Sequence, residues 1–300
     1  MGVDITIASE TFQHTGSFKF RAAYNLAYKV PHHQLIAASS GNFGQALAYA
    51  CKLLDKSCIV VMPETSAQVK IDAVREHGGV VDFVDIRRKS REERLRELAA
   101  LHPDAYITNA YDDPLIIEGN ASLGEELCGL DRRFDCVVVP IGGGGLSSGI
   151  ISGIRQSGRE IKVIGAEPAM ANRTARSFKA GSIIKLDTEP QTIADGARTI
   201  SVGKYNWEIL KDGLAGIVEV PEQKIKEGVR LLYSHANLKT EPTGALSIGA
   251  VLTKPELFQG RSVCCVVTGG NVDAEVYLPT LKPNGISGSG FGSLANEFWR

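Results

Sequence analysis

Short apolar runs rich in valine and isoleucine alternate along this chain with longer stretches of helical periodicity, and no other feature constrains the fold as much. Continuous apolar runs suit strands buried on both faces. Successive parallel strands need a crossover of roughly a dozen residues or more, which the helical stretches supply. The runs are "CIVVMP" (58–63), "VVDFVD" (80–85), "AYITN" (105–109), "CVVVPI" (136–141), "KVIGAE" (162–167), "GIVEV" (216–220) and "SVCCVVTGG" (262–270), with "DITIASE" as one more at the start. Helices are expected near 43–55, 66–77, 90–101, 114–128, 146–157, 222–235 and 242–253. The pattern is α/β throughout, with no internal repeat.

Composition narrows the function classes. Hydrophobic residues make up 43% and charged residues 22% of 300, with a formal net charge of -1, which is ordinary globular usage. No Lys/Arg stripe interleaves with aromatics, so nucleic acid is not an expected partner. The charge-dense stretch "RRKSREERLRE" (87–97) alternates in sign and reads as a solvated helix face. No apolar run reaches the roughly 18 residues of a membrane span, and the first residues lack a signal peptide's basic and apolar regions, so a cytoplasmic protein is expected. Cys51, Cys58, Cys128, Cys136, Cys264 and Cys265 show no CxxC spacing and read as buried reduced thiols. The Gly/Ser-rich end, 286–300, reads as a flexible tail.

Ligands of open α/β sheets sit beyond the carboxyl ends of strands, so the segments that follow the strands carry the chemistry. Gly142, Gly143, Gly144 and Gly145 follow "CVVVPI" and open a helix, where converging N–H groups and the helix dipole favour a phosphate. A tight strand-to-helix turn would also use glycine, though rarely four in a row. The loop is neither a Walker P-loop nor a GxGxxG motif. "SSGN" (Ser39, Ser40, Gly41, Asn42) precedes a helix and suits a carboxylate or a ring hydroxyl, and equally plain N-capping. "TGGN" (268–271) offers the Thr268 hydroxyl to a heteroatom or to a turn. In "FQHTGSFKFRAAYN" (12–25), Lys19 stands between two phenylalanines, where a solvated lysine is the ordinary reading. Together, one lysine, a phosphate cradle, an amide loop and a strand-end hydroxyl suit a phosphorylated aldehyde cofactor, pyridoxal 5'-phosphate. Lys19 would form its Schiff base, the glycines would take the phosphate, Asn42 the ring hydroxyl and Thr268 the ring nitrogen.

At these residues the chain resembles the fold-type II pyridoxal-phosphate enzymes, in their threonine dehydratase and serine racemase branch. "TGSFKFRAA" is similar to that branch's cofactor-lysine motif, "SSGNFGQALAYA" to its substrate and ring loop, "GGGGLSSGI" to its phosphate loop and "TGGNVD" to its ring-nitrogen motif. "VMPETSAQVKIDAVREHGG", "DDPLIIEGNASLGEE", "GAEP", "TIADGARTISVG" and "TEPTGALSIGAVL" follow in family order, so the resemblance runs from Ile5 to Asp273. It implies a tryptophan synthase beta-like α/β fold of two three-layer lobes with mostly parallel sheets. Residues 1–34 and 112–285 would form a large cofactor-binding domain and 35–111 a small mobile one, in a homodimer. It adds Phe18, Leu146 and Glu241 to the cofactor contacts, and gives Ser39, Ser40, Gly41 and Asn42 to an amino-acid substrate. Lys19 would also take the Cα proton, with Ser40 on the opposite face.

The implied reaction is β-elimination from a β-hydroxy amino acid such as threonine or serine, giving a 2-keto acid and ammonia. A hydroxyl such as Thr268 does not hold the pyridine nitrogen protonated as a carboxylate would, which favours prompt loss of a β-substituent. The alternatives are β-replacement, as in cysteine or diaminopropionate synthases, a racemase, a threonine synthase and, from another class, an inactive scaffold subunit. Departures from the pattern are Ala22 in place of the family's glycine, "GNAS" (119–122) in place of Gly-Gln-Gly-Thr, and Ala38 ahead of the serine loop. Serine racemases and some dehydratases hold a divalent cation beside "GAEP", which makes Glu167 the candidate ligand. The position of the matching second acid holds Arg173, so no metal is expected and Glu167 is expected to pair with that arginine. The family's N-terminal helices, its Thr-Pro-containing strand and its regulatory C-terminal domain have no counterpart, and feedback control by isoleucine is not expected.

Overall fold

A computed structural model describes residues 2–39, 41–66 and 68–282. Ser40 and the tail expected at 286–300 lie outside the described residues. In chain order the elements begin with β1 (Asp4–Ser9), α1 (Lys19–Lys29), β2 (Gln34–Ala38), α2 (Asn42–Leu53), β3 (Ser57–Pro63), α3 (Gln68–Glu76), β4 (Val80–Val84), α4 (Arg91–Leu101) and β5 (Tyr106–Thr108). There follow α5 (Pro114–Gly129), β6 (Cys136–Pro140), α6 (Gly145–Gln156), β7 (Lys162–Pro168), α7 (Arg173–Ala180), α8 (Lys204–Gly213), β8 (Leu214–Val220), α9 (Glu222–Ala236), α10 (Leu246–Thr253), β9 (Ser262–Val267) and α11 (Ala274–Leu281).

The strands form two sheets, one of order β1-β9-β6-β7-β8 and one of order β4-β3-β2-β5. Every ladder within them is parallel. Successive side chains leave opposite faces of a strand, so each apolar run feeds two cores. Val138, Ile164, Val218 and Cys265 pack with Ile225 and Val229 of α9 and Ala250 of α10. Val137, Val139, Cys264 and Val266 pack on the other face with Leu123 of α5, Ile150 of α6 and Leu210 of α8. In the smaller sheet Leu35, Val60 and Met62 meet α1 and α2, while Ile36, Ile59 and Val61 meet Leu98 of α4. Burying each such side chain contributes about 1.5–3 kcal/mol, which is why both faces of both sheets are covered. All six cysteines are buried and free. Among the described residues, no helix is long and apolar enough to cross a membrane.

The expected strands are all present, with ends shifted by one to three residues. The run 262–270 leaves the ladder after Val267, and its last residues form instead an isolated antiparallel bridge between Ser17 and Gly269. Strand β2 and helices α1, α7, α8 and α11 are not in the expected set. In β2, "QLIAA", alanines weaken the strand signal, and the ladders to β3 and β5 supply what local propensity does not. Ala22, the departure from the family's glycine, is fully buried where α1 meets α5, and Gly119 on α5 makes the room. A Cβ at 119 would lie 2.6 Å from the Arg21 carbonyl oxygen and 2.8 Å from the Ala22 Cα.

Candidate active site

The segments that follow β2, β5, β6 and β9 are drawn together by hydrogen bonds and close packing. Lys19 opens α1 there because the backbone before it is tied to the end of β9. The Phe18 N–H donates to the Thr268 carbonyl at 3.0 Å, and Ser17 bridges Gly269. The Lys19 Nζ donates to the Ala110 carbonyl, just beyond β5, at 3.1 Å. It stands 5.1 Å from the centre of the Phe18 ring and 5.7 Å from that of Phe43. Burial pulls this amine down to about 8, with the Glu241 carboxylate working in the opposite direction. The solvated reading of Lys19 is therefore wrong for this chain: its amine is set against a carbonyl and two rings, where burial makes the charge easier to lose.

The glycine loop turns its carbonyls outward. The Ile141 carbonyl accepts from Arg173 at 3.2 Å, and Gly142 also accepts from Arg173. The Gly143 carbonyl accepts from the Gly203 N–H at 3.0 Å and from Asn206 Nδ2 at 2.9 Å. The Gly144 carbonyl accepts from the Ser148 N–H at 2.9 Å and the Ser147 hydroxyl at 3.1 Å. Among the described residues no acceptor meets the amides of Gly142, Gly143 and Gly144, and those of Gly145 and Leu146 begin α6, where a helix leaves its N–H groups unpaired. Gly144 needs its φ of 100°, and a side chain at 143 would enter the ring of Tyr111, so glycine is required at both. The Leu146 side chain belongs to the core beneath, as does part of Phe18, leaving the Leu146 N–H for the loop.

Asn42, first residue of α2, reaches across to the larger sheet. Its Nδ2 donates to Glu241 Oε1 at 3.0 Å and Oε2 at 3.1 Å, and its Oδ1 accepts from Asn271 Nδ2 at 2.8 Å. Asn271 also donates to the Thr15 carbonyl at 2.7 Å. The structure thus brings Asn42 together with Glu241, Asn271 and the lysine loop. Burial first, and then the Asp195 carboxylate, push the Glu241 carboxyl up to about 8. The Ser39 hydroxyl accepts from the Gly44 N–H at 3.1 Å and Gly41 N–H at 3.4 Å, so it does the helix-capping work the sequence left open.

At the end of β7, Glu167 is fully buried. Its Oε1 lies 3.0 Å from Arg173 Nη1, and its two oxygens accept the Thr174 and Ala175 N–H groups at 3.0 Å each. The expected pair forms. With its oxygens taken in this way Glu167 does not fit as a metal ligand, and among the described residues no group of three or more His, Cys, Asp or Glu side chains could hold an ion.

Two buried hydroxyls here, Thr268 Oγ1 and Ser17 Oγ, have no partner among the described residues. Buried polar atoms are rarely left so, and with the open amides of the glycine loop and the interior amine of Lys19 they fit a phosphorylated pyridine aldehyde. The sequence matches the description "Pyridoxal-phosphate dependent enzyme" over residues 1–269. The chain belongs to the pyridoxal-phosphate dependent enzyme family.

Relatives within that family sharpen the likeness. The chain is 36% identical to the L-threo-3-hydroxyaspartate ammonia-lyase of a Pseudomonas species, over 94% of this chain and 89% of the relative. It is 32% identical to the serine racemase of Schizosaccharomyces pombe, over 93% and 87%. The solved T.th. threonine deaminase structure superposes with a TM-score of 0.86 at 35% identity, covering 91% of this chain and 89% of that one. The fold is therefore that of a fold-type II pyridoxal-phosphate enzyme, as the sequence motifs implied.

Several residues of this pyridoxal-phosphate site escaped the sequence reading. Tyr111 lies against Gly143, and burial raises its phenol. Lys70 of α3 pairs with Asp195 at 3.2 Å. Asn271 and Asp195 stand inside quoted motifs, so their motifs carried the signal while their individual roles did not. Lys70 likewise stands inside a quoted motif, whereas Tyr111 lies just outside one, and only the fold brings it to the site.

Proposed function

We propose that the chain eliminates the β-hydroxyl and the α-amino group from a β-hydroxy amino acid, releasing a 2-keto acid and ammonia. The observation that carries this reading is the Lys19 amine, lowered by burial to about 8 and tied through Phe18 to Thr268, a residue without charge. Three hydroxyaspartate ammonia-lyases or dehydratases among the relatives, each 36% identical, support the same chemistry. Pyridoxal phosphate, when bound, withdraws electrons from the substrate's Cα and makes its proton removable.

The chain's residues do the rest. The amides of Gly142 to Gly145 and of Leu146 would hold the phosphate, with Phe18 and Glu241 beside the ring. The Lys19 Nζ accepts the Cα proton, because burial lowers the amine from 10.5 to about 8, so that roughly a tenth of it is free at pH 7 instead of a trace. The Thr268 hydroxyl offers the ring nitrogen a neutral partner, so a long-lived negative charge is not favoured and the β-hydroxyl leaves. The start of α2, with Ser39, Ser40, Gly41 and Asn42, receives the substrate carboxylate, which the positive end of the helix favours. Residues 35–111 move as a small domain against 1–34 and 112–285, excluding water as they close. We propose a cytoplasmic homodimer, in keeping with six reduced cysteines.

Reduction of the pyridoxal-phosphate-loaded protein with borohydride, followed by peptide mapping, is expected to put the cofactor on Lys19. L-threo-3-hydroxyaspartate, threonine and serine would then be assayed for keto acid and ammonia. Labelled Lys19 with no keto acid from any of them would sink the elimination reading, and D-amino acid formation alone would turn it into a racemase.

A further inference from the structure

The site where this branch carries a divalent cation does not fit one here, and the side chains say what stands in its place. We infer that Arg173 is a built-in cation that positions the Gly142–Gly145 loop for the cofactor phosphate. Its guanidinium is fully buried, pairs with Glu167 at 3.0 Å, and donates to the carbonyls of Ala171, Ile141 and Gly142. Two of those carbonyls belong to the first peptides of the phosphate loop. A peptide's carbonyl and N–H point in opposite directions, so fixing the carbonyls of Ile141 and Gly142 outward aims the amides of Gly142 and Gly143 inward. Glu167 is anchored in turn by the first N–H groups of α7, so guanidinium, carboxylate and helix form one rigid support. A planar fork with five donors can hold the carboxylate and three carbonyls together, which a lysine ammonium cannot. Arg173 touches neither substrate nor reacting atoms and acts through the loop alone, so the inference does not depend on which amino acid is turned over.

The test uses the full chain, with cofactor affinity and the phosphorus NMR signal of the bound phosphate as readouts. Arg173→Lys is expected to fold, to bind pyridoxal phosphate at least about tenfold more weakly and to shift the phosphorus resonance, since a hydrogen bond to a charged group is worth that much or more. Removing the arginine alone would strand a buried carboxylate, so the double change Arg173→Met with Glu167→Gln tests the support without leaving a bare charge. It too should keep wild-type near-ultraviolet circular dichroism while losing at least tenfold in cofactor affinity. A folded variant of either kind with wild-type affinity and an unshifted resonance would overturn the positioning role. For the unaltered protein, EDTA and added magnesium should each leave affinity and resonance unchanged. A loss of affinity on chelation that magnesium restores would overturn the claim that the cation is the protein's own.

Discussion

Lys19 and Glu241 share one buried pocket, yet burial moves both toward their neutral forms, and the two leave opposite marks on stability. The Glu241 carboxyl sits at about 8 in the fold against 4.5 for an ordinary glutamate, so the folded state keeps a proton that the unfolded chain has lost. Between about pH 4.5 and 8 it therefore makes the cofactor-free protein less stable as pH rises. Glu241→Gln should flatten that decline, read as melting temperature against pH. Lys19 sits at about 8 against 10.5, so between those values the unfolded chain holds the extra proton and stability rises with pH. Lys19→Met should remove the rise and, by taking away amine and base together, lower keto-acid formation by about 10²–10⁴-fold or more. At this scale the motifs singled out residues that the fold gathers in one place, as at Lys19, the four glycines and Thr268. It was silent on Tyr111, whose ring matters only because folding lays it against Gly143.

Helix α5 and helix α8 hold the site from behind. The contact of α5 with α1 depends on Gly119, and Gly119→Ala should cost about 1–3 kcal/mol by overpacking, visible as a lower melting temperature. Because α1 begins at Lys19, the same change should weaken cofactor binding, which a titration would read. Asp112 caps α8, accepting the Lys204 N–H at 2.8 Å and the Tyr205 N–H at 2.9 Å, and that helix carries Asn206 to the Gly143 carbonyl. Asp112→Ala should cost about 0.5–2 kcal/mol on a denaturant curve. Among the elements, the long valine-rich strands were legible because burial on both faces leaves a continuous apolar run. The five-residue β2 was not, since its identity as a strand comes from neighbours on either side.

Across the whole molecule the two sheets are joined through α1, through the Asn42 and Asn271 amides, and through the Lys70–Asp195 pair. That pair is about a third to two-fifths exposed, at 34% and 43%, so it should add little to global stability. Lys70→Met is expected to change it by less than about 1 kcal/mol while lowering the salt dependence of the melting temperature. A drop of several kcal/mol would mean that the pair is a structural tie. The α/β class and the parallel sheets could be read from the alternation of strands and helices. The division into two sheets does not follow from that alternation, because it rests on which strands pair, and it was the family resemblance that implied two lobes. Strand order has a further consequence for how the protein is made. Strand β9 lies between β1 and β6, so the peptide group of Phe18 waits for that of Thr268, and the lysine motif is joined to the last of the described strands. A ribosome delivers the N-terminal end first, at roughly 5–20 residues per second. The lysine therefore leaves the exit tunnel many seconds before its surroundings exist, and they can form around it only once the growing polypeptide has passed Thr268.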